Sequence, residues 1–292
     1  MKPAPFQYFV PQTLEEAFSL LDEHGFDAKL LAGGQSLVPT MNFRLAQPAV
    51  LIDLNHVEEL FYIRKHNQKG VHIGAMTRQA TLERSELITK HAPLIAETMP
   101  HIAHPQIRNR GTLGGSLAHA DPASELPAVM FALEARFRIQ SRSGDRWLEA
   151  KDFFVDLFTT DLAPEEMLTE IVIPPLPPET GCAFQEVSRR HGDFALVGVA
   201  ACLTLNEAGG CQAARIVLLS VGSTPVRAHQ AEQVLVSRGL TDEALHEAAQ
   251  TAAEQEIDPP ADMHASSDFR RQLAKVLTER ALKQALERAR SA

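Results

Sequence analysis

The sequence predicts an α+β protein of three consecutive units, and three observations carry that prediction. Residues 1–56 alternate strand-like and helix-like patterns in the order β-α-β-α-β, the mark of a small α/β unit. Residues 57–177 open with a hairpin pattern, hold helical ones, and end with a second hairpin pattern and a strand. Pro174, Pro175, Pro177 and Pro178 then break the chain, and residues 178–292 read as an antiparallel meander of three strands followed by helices.

In the first unit "FQYFV" is a short strand. Thr13 and Glu16 stand at capping-box spacing ahead of a helix whose apolar face carries Leu14, Ala17, Leu20 and Leu21, with Gly25 as its stop. "AKLLAGG" reads as a buried strand running into glycines, "SLVPTMNFRL" as a short helix limited by Pro39, and "AVLIDL" as a further strand ending near Asn55. The middle unit begins with a hairpin turning on "NQKG". Helical patterns follow in "TLERSELI", "APLIAETMPHIAH" and "ASELPAVMFALEA", the last apolar nearly all round, as a buried helix should be. "RFRIQSRSGDRWLEA" is a second hairpin with "SGD" as its turn, and "EMLTEIVIP" a closing strand. In the third unit the final helix places Phe269, Leu273, Val276, Leu277 and Ala281 on one face.

Composition bounds the function. The chain has 292 residues, 45% hydrophobic and 22% charged, and a formal net charge of −9. Such a charge supplies no field for a nucleic acid or an anionic membrane. The N-terminus meets a proline and two acids before any long apolar run, so neither a signal peptide nor a membrane span is expected, and a cytoplasmic location is. Cys182, Cys202 and Cys211 lie far apart without a C-x-x-C, an arrangement that argues against a zinc centre or an iron–sulfur cluster held by this chain. They are expected to be reduced thiols. His101, His104 and His119 lack metal-ligand spacing, and no metal is expected.

Two segments have the composition of an anion site. Gly33–Gly34 follow a strand in "LLAGGQSLVP", and Gly114–Gly115 sit in an expected loop between the hydroxyls of Thr112 and Ser116 in "NRGTLGGSLAHADPASEL". Paired glycines let successive backbone N–H groups converge on one point, and an acidic protein can hold a diphosphate by such fixed dipoles. Neither segment is a G-x-G-x-x-G or a P-loop, so an ordinary dinucleotide fold is not expected. Each pair read alone is equally a tight turn. Downstream, His119, Asp121 and Glu125 lie at a helix start, where the carboxylates either cap the helix or accept from sugar hydroxyls; spacing leaves both open. "SRRHGDF" is either a solvated hairpin edge or a turn beside a cofactor ring.

Together "LLAGGQSLVPTMNFRLAQPAVLIDLN", "QIRNRGTLGGSLAHADPASELPAV", "EEMLTEIVIP" and "SRRHGDFALVGVAA" resemble the FAD-binding medium subunit of the molybdenum hydroxylases. That family includes flavin subunits of carbon monoxide dehydrogenase and of bacterial xanthine dehydrogenase-like enzymes. The resemblance implies a PCMH-type, vanillyl-alcohol-oxidase-like FAD-binding domain of two subdomains, 1–56 and 57–177, and a C-terminal domain over 178–292. It implies that Leu30, Leu31, Ala32, Gly33, Gly34, Gln35, Ser36 and Leu37 wrap the FAD pyrophosphate from one side, and that Gly111, Thr112, Gly114, Gly115 and Ser116 close it from the other. Ile102 would pack near the flavin, His119, Ser124 and Glu125 would follow the ribityl–diphosphate path with Asp121 beside them, and Leu168 would meet the far end. No catalytic base is assigned.

The implied role is electron relay. A large molybdopterin-binding subunit would oxidise substrate, a small subunit with two 2Fe–2S clusters would pass electrons on, and FAD would deliver them to NAD, oxygen or a quinone. Several relatives carry a lysine in the strand before the double arginine, where this chain has Gln185 and Glu186. A stand-alone flavin oxidoreductase of the same fold, and a subunit without cofactor, are the rival readings.

Overall fold

Local chemistry sets the first unit. Thr13 Oγ1 accepts from the Glu16 amide at 3.2 Å and Glu16 reaches back to the Gln12 amide at 2.7 Å, so helix α1 (Leu14–His24) begins where the capping-box spacing predicts. Gly25, at φ 50°, ends it. The computed structural model describes residues 2–66 and 69–291. Strands β1 (Gln7–Phe9), β2 (Ala28–Leu31) and β3 (Val50–Asp53) form a parallel sheet in the order β1-β3-β2, with α2 (Leu37–Asn42) between β2 and β3. The centre of that sheet is β3, whose four residues are all buried. Strand β2 is an edge with Lys29 exposed and Leu30 and Leu31 partly buried, a correction to the buried strand expected there. An edge leaves the β2–α2 turn open on one side.

The second unit is an antiparallel sheet wrapped by short helices. Strands β4 (Ile63–His66) and β5 (Gly70–Gly74) form the expected hairpin, although Asn67 and Gln68 of its turn lie outside the described residues. Helices α3 (Gln79–Arg84), α4 (Glu86–His91), α5 (Pro93–Thr98), α6 (Pro105–Arg108), α7 (Leu113–His119) and α8 (Glu125–Ala132) follow. Strands β6 (Arg136–Ser141) and β7 (Gly144–Glu149) pair with Ser141 opposite Gly144, so the turn is Arg142–Ser143, one residue earlier than the Ser-Gly-Asp expected. After α9 (Ala150–Phe153) and the small ribbon of β8 (Phe154–Asp156) and β9 (Thr159–Thr160), β10 (Met167–Ile173) inserts between β5 and β6. The sheet order is β4-β5-β10-β6-β7. Central insertion of the last strand brings β10 against α7, and the α8 that follows α7 is nearly all buried.

Past the prolines come three long strands, β11 (Thr180–Ser188), β12 (Ala195–Leu205) and β13 (Cys211–Leu219), the meander read from the sequence, extended by the two-residue β14 (Val226–Arg227). Every residue of β12 is buried because the sheet is covered on both faces. Ala183, Val197, Val199, Ile216 and Leu218 face helices α10 (His229–Arg238), α11 (Asp242–Gln255) and α12 (Ser267–Ala289). Cys182, Phe184, Ala200, Cys202, Val217 and Leu219 face the other way, into one continuous core with α5, α7 and α8 of the second unit. The buried stripe of α12 is Ala274, Leu277, Ala281, Leu282 and Ala285, rotated from the expected face, with Phe269 left exposed. Arg270 occupies the inner position instead, donating to the Leu196 carbonyl and to Asp262.

The cysteines correct a further expectation. Cys182 and Cys202 are direct cross-strand partners and form a disulfide, while Cys211 is a buried free thiol whose burial pushes its pKa up to about 11. Spacing alone concealed the pair, yet both cysteines stand equally far from Gly192 in the β11–β12 turn. Among the described residues no helix is long and apolar enough to cross a membrane.

Candidate functional site

The two glycine segments meet. A Cβ on Gly33 would lie 2.6 Å from the Arg110 carbonyl oxygen and 2.8 Å from Gly111 Cα, and one on Gly115 would lie 3.2 Å from Ala32 Cβ. Only hydrogen fits at Gly33, where the backbone of the first unit touches the backbone of the second. Gly34 adopts φ +73°, a left-handed conformation that turns the chain from β2 into α2.

The two segments differ in what their amides do. Among the described residues no protein acceptor takes the N–H of Gly33, Gly34, Gln35 or Ser36. These are successive donors in a turn that runs into a helix, the arrangement that receives an anion. The second pair is spoken for: the Gly114 amide donates to the Ala75 carbonyl at 2.8 Å and the Gly115 amide to Thr112 Oγ1 at 3.0 Å. Gly114 and Gly115 lie in the first turn of α7, with Thr112 as its N-cap, a correction to the loop expected there. Their smallness brings α7 against Ala75 and Ala32.

A polar brace holds the meeting point from behind. Buried Asp53 accepts from Tyr8 Oη and from the Asn55 amide, the latter at 2.9 Å, and Asn55 Nδ2 donates to the Ala32 carbonyl at 3.0 Å. Its bond to Asp53 pushes the Tyr8 phenol up to about 12, so this hydroxyl stays a donor. Arg78 completes the brace, donating to Asn55 Oδ1 and to the Arg110 carbonyl. Neither Asn55 nor Arg78 was singled out from the sequence; the signal available was the Asp-x-Asn at the end of β3. An open cleft of about 530 Å³ borders Arg78, Arg84 and Asn109 but includes none of the glycines.

The remaining residues continue along α7. Ser116 lies on its partly buried side and His119 at its last turn, the His119 ring 5.1 Å from that of Phe158. Ala120, at φ 50°, ends the helix, and Asp121 Oδ1 accepts from the Ala123 amide at 2.9 Å, forming the turn into α8. Ser124 is the N-cap position of α8 and makes no side-chain cap. Glu125 is 6% exposed, and burial above all, with the Asp121 charge adding, pushes it up to about 7 against the hydrogen bond from its own amide. Leu168, in β10 beside α7, and Ile102 are buried members of the shared core. His101 packs on Phe184, its ring centroid 5.2 Å away, and His104 faces His191, with Gly192 pressed on the His104 ring. Arg189 and Arg190 are exposed, and Arg189 lies 3.6 Å from Asp193.

Fold and site define a protein with an anion-receiving turn at the contact of two subdomains, backed by an α+β unit that shares the core of the second. Residues 4–176 match the family of the FAD binding domain in molybdopterin dehydrogenase, and residues 182–285 match the CO dehydrogenase flavoprotein C-terminal domain. The chain is 47% identical to the 6-hydroxypseudooxynicotine dehydrogenase complex subunit alpha of Paenarthrobacter nicotinovorans, covering 99% of this chain and 97% of that one. It is 38% identical to the carbon monoxide dehydrogenase medium chain of Afipia carboxidovorans, covering 100% of both. Its structure superposes on the matching chain of carbon monoxide dehydrogenase from Hydrogenophaga pseudoflava with a TM-score of 0.95 at 39% identity, covering 99% of each. The chain belongs to the FAD-binding medium subunits of the molybdenum hydroxylases, and FAD is its cofactor.

Proposed function

We propose that this chain holds FAD across the contact between the β2–α2 turn and α7, and that it collects electrons from partner subunits for an external acceptor. The observation that carries the site is the run of four backbone amides, Gly33 to Ser36, without an acceptor among the described residues. In this reading those amides take the diphosphate, while Leu30, Leu31, Ala32 and Leu37 flank it. Gly111, Thr112, Gly114 and Gly115 contribute close approach more than donors, because their amides or side chains are already engaged in holding α7. Ser116, His119, Asp121, Ser124 and Glu125 line the path toward the ring, with Ile102 and Leu168 as apolar contacts.

Bound FAD supplies two-electron and one-electron redox chemistry in one ring. The protein's part is to orient it and exclude water. Partners of the kind the family resemblance implies, a large molybdopterin-binding subunit and a small subunit with 2Fe–2S clusters, would complete the path, with NAD, oxygen or a quinone as acceptor and the cytoplasm as location. The three-unit division at 56 and 177 belongs to the same reading. Purification from the native host tests it: two further polypeptides carrying molybdenum and iron should accompany a yellow protein. A yellow chain that purifies alone and turns over a small substrate unaided would favour a stand-alone oxidoreductase, and a colourless chain that ignores added FAD would reject the site.

A further inference from the structure

Strand β11 sends neighbouring side chains to opposite sides of its sheet. Gln185 Nε2 donates to Gln284 Oε1 of α12 at 2.8 Å, while Phe184 enters the core shared with the FAD-binding domain and meets His101 there. Alternation puts Glu186 on the Phe184 side. Its register partner in β12 is Gly198, so no side chain from that strand stands beside it. Glu186 Oε2 is buried and has no hydrogen-bond partner among the described residues. The carboxyl of Glu125, from the first turn of α8, lies close enough for its charge to act on Glu186. A buried carboxylate oxygen without a donor is disfavoured in the charged form, so such a site favours the protonated carboxyl.

We infer that Glu125 and Glu186 form a proton-holding carboxyl pair at the seam between the two domains, and that the pair binds one further proton when the flavin beside it is reduced. This rests on the FAD placement proposed above. Burial, and after it the charge of Glu125, pushes Glu186 up to about 8, against about 7 for Glu125, so between pH 7 and pH 8 the pair shares roughly one proton. Delivery of two electrons to the ring with one proton gives FAD + 2e⁻ + H⁺ → FADH⁻, leaving one new negative charge. That charge raises the proton affinity of a neighbouring anionic pair, which takes H⁺ from solvent and becomes neutral. Two electrons and two protons are then bound with no net charge change. The electrons come from the iron–sulfur donors of the proposed assembly. Glu186 is a positioning residue for charge here.

The other charged groups around the seam are engaged elsewhere. Asp121 acts on Glu125 from the α7–α8 turn. Burial holds the His101 pKa below its ordinary value, with Glu97 and His191 acting on it as well. Arg288 of α12 is bonded to Glu97 and to the Cys182 carbonyl. On the β11–β12 turn Arg189 lies near Asp193 and Arg190 is exposed. No ionisable group comes from β12 at this level, where Gly198 stands.

The test counts protons. FAD-loaded protein is reduced electrolytically in weak buffer with a mediator, and proton uptake per flavin is followed with an indicator dye between pH 6 and 9, with free FAD as reference. Between pH 7 and pH 8 the wild type should take up about one proton more per flavin than the double variant Glu125→Gln/Glu186→Gln, and at pH 6, where the pair is already neutral, the difference should vanish. Glu125→Gln alone, which keeps Glu186, should retain part of the uptake. Equal uptake in wild type and the double variant would overturn the pair, and if that variant does not fold, wild-type uptake identical to free FAD at every pH would do the same. Failure to bind FAD would strike the site itself, a separate outcome.

Discussion

Gly33 is the residue on which the proposed cofactor site turns. Its hydrogen leaves room for the Arg110 carbonyl, and a methyl would intrude to 2.6 Å on rigid backbone from the other subdomain. Gly33→Ala is therefore expected to part the two segments and weaken FAD binding at least tenfold, about 1.4 kcal/mol. Absorbance of the purified protein checks it, and full flavin occupancy in this variant would remove Gly33 from the cradle. The glycine pairs were legible in sequence because no other residue serves such positions so well. Their division of labour was not. Whether an amide is free depends on Ala75, far away in the chain, whose carbonyl takes the Gly114 amide. Asn55 and Arg78 escaped notice for the same reason: each acts on a carbonyl, Ala32 or Arg110, that only the folded chain brings near.

Helices and strands were readable wherever a local signal existed and misread wherever packing decided. The capping box at Thr13 and the stop at Gly25 fixed α1, whereas the buried face of α12 depends on where β11 and β12 lie, and propensity carries no such information. Helix α7 is a similar case, since a glycine pair argues against a helix and the Thr112 cap argues for one. Thr112→Ala should remove the bond to the Gly115 amide and cost about 1 kcal/mol, seen as a fall in Tm of the FAD-free protein. An unchanged Tm would mean that packing on Ala75 and Ala32 alone sets α7. At the β11–α8 seam, pH enters with a definite sign. Glu186 binds its proton more tightly folded than unfolded, so wild-type stability falls as pH rises from the ordinary glutamate range through about 8. Glu186→Gln lacks that loss. The stability gap in its favour should widen between pH 5 and pH 8 by at most about 1.4 kcal/mol per unit, measured by denaturant unfolding at each pH. A gap independent of pH would show Glu186 ionised throughout.

At the scale of the whole molecule, the proline run marks a change of sheet without separating two cores. Phe184, Ala200, Cys202, Val217 and Leu219 of the third sheet share one buried cluster with Leu94, Leu117, Leu126 and Val129 of the middle unit. Arg288 of α12 adds a bond to Glu97 of α5, and the Ser220 amide donates to the Pro122 carbonyl at 2.9 Å. An exposed linker suggests independent domains, because composition reports the chain between units and says nothing of the surface they share. The seam also carries the Glu125–Glu186 pair, so the domain that lacks the glycine cradle still bounds the proposed flavin environment. Residues 1–177 expressed alone should expose the apolar face of α8 and the wall around His101, and should aggregate or bind FAD weakly. Co-expression with residues 178–292 should recover a soluble 1:1 complex, since the core needs packing across the seam more than it needs the peptide bond. Size-exclusion chromatography with flavin absorbance reads both outcomes. A monodisperse, fully yellow 1–177 fragment would mean that the cradle is complete in the first two units and that the third serves the assembly alone.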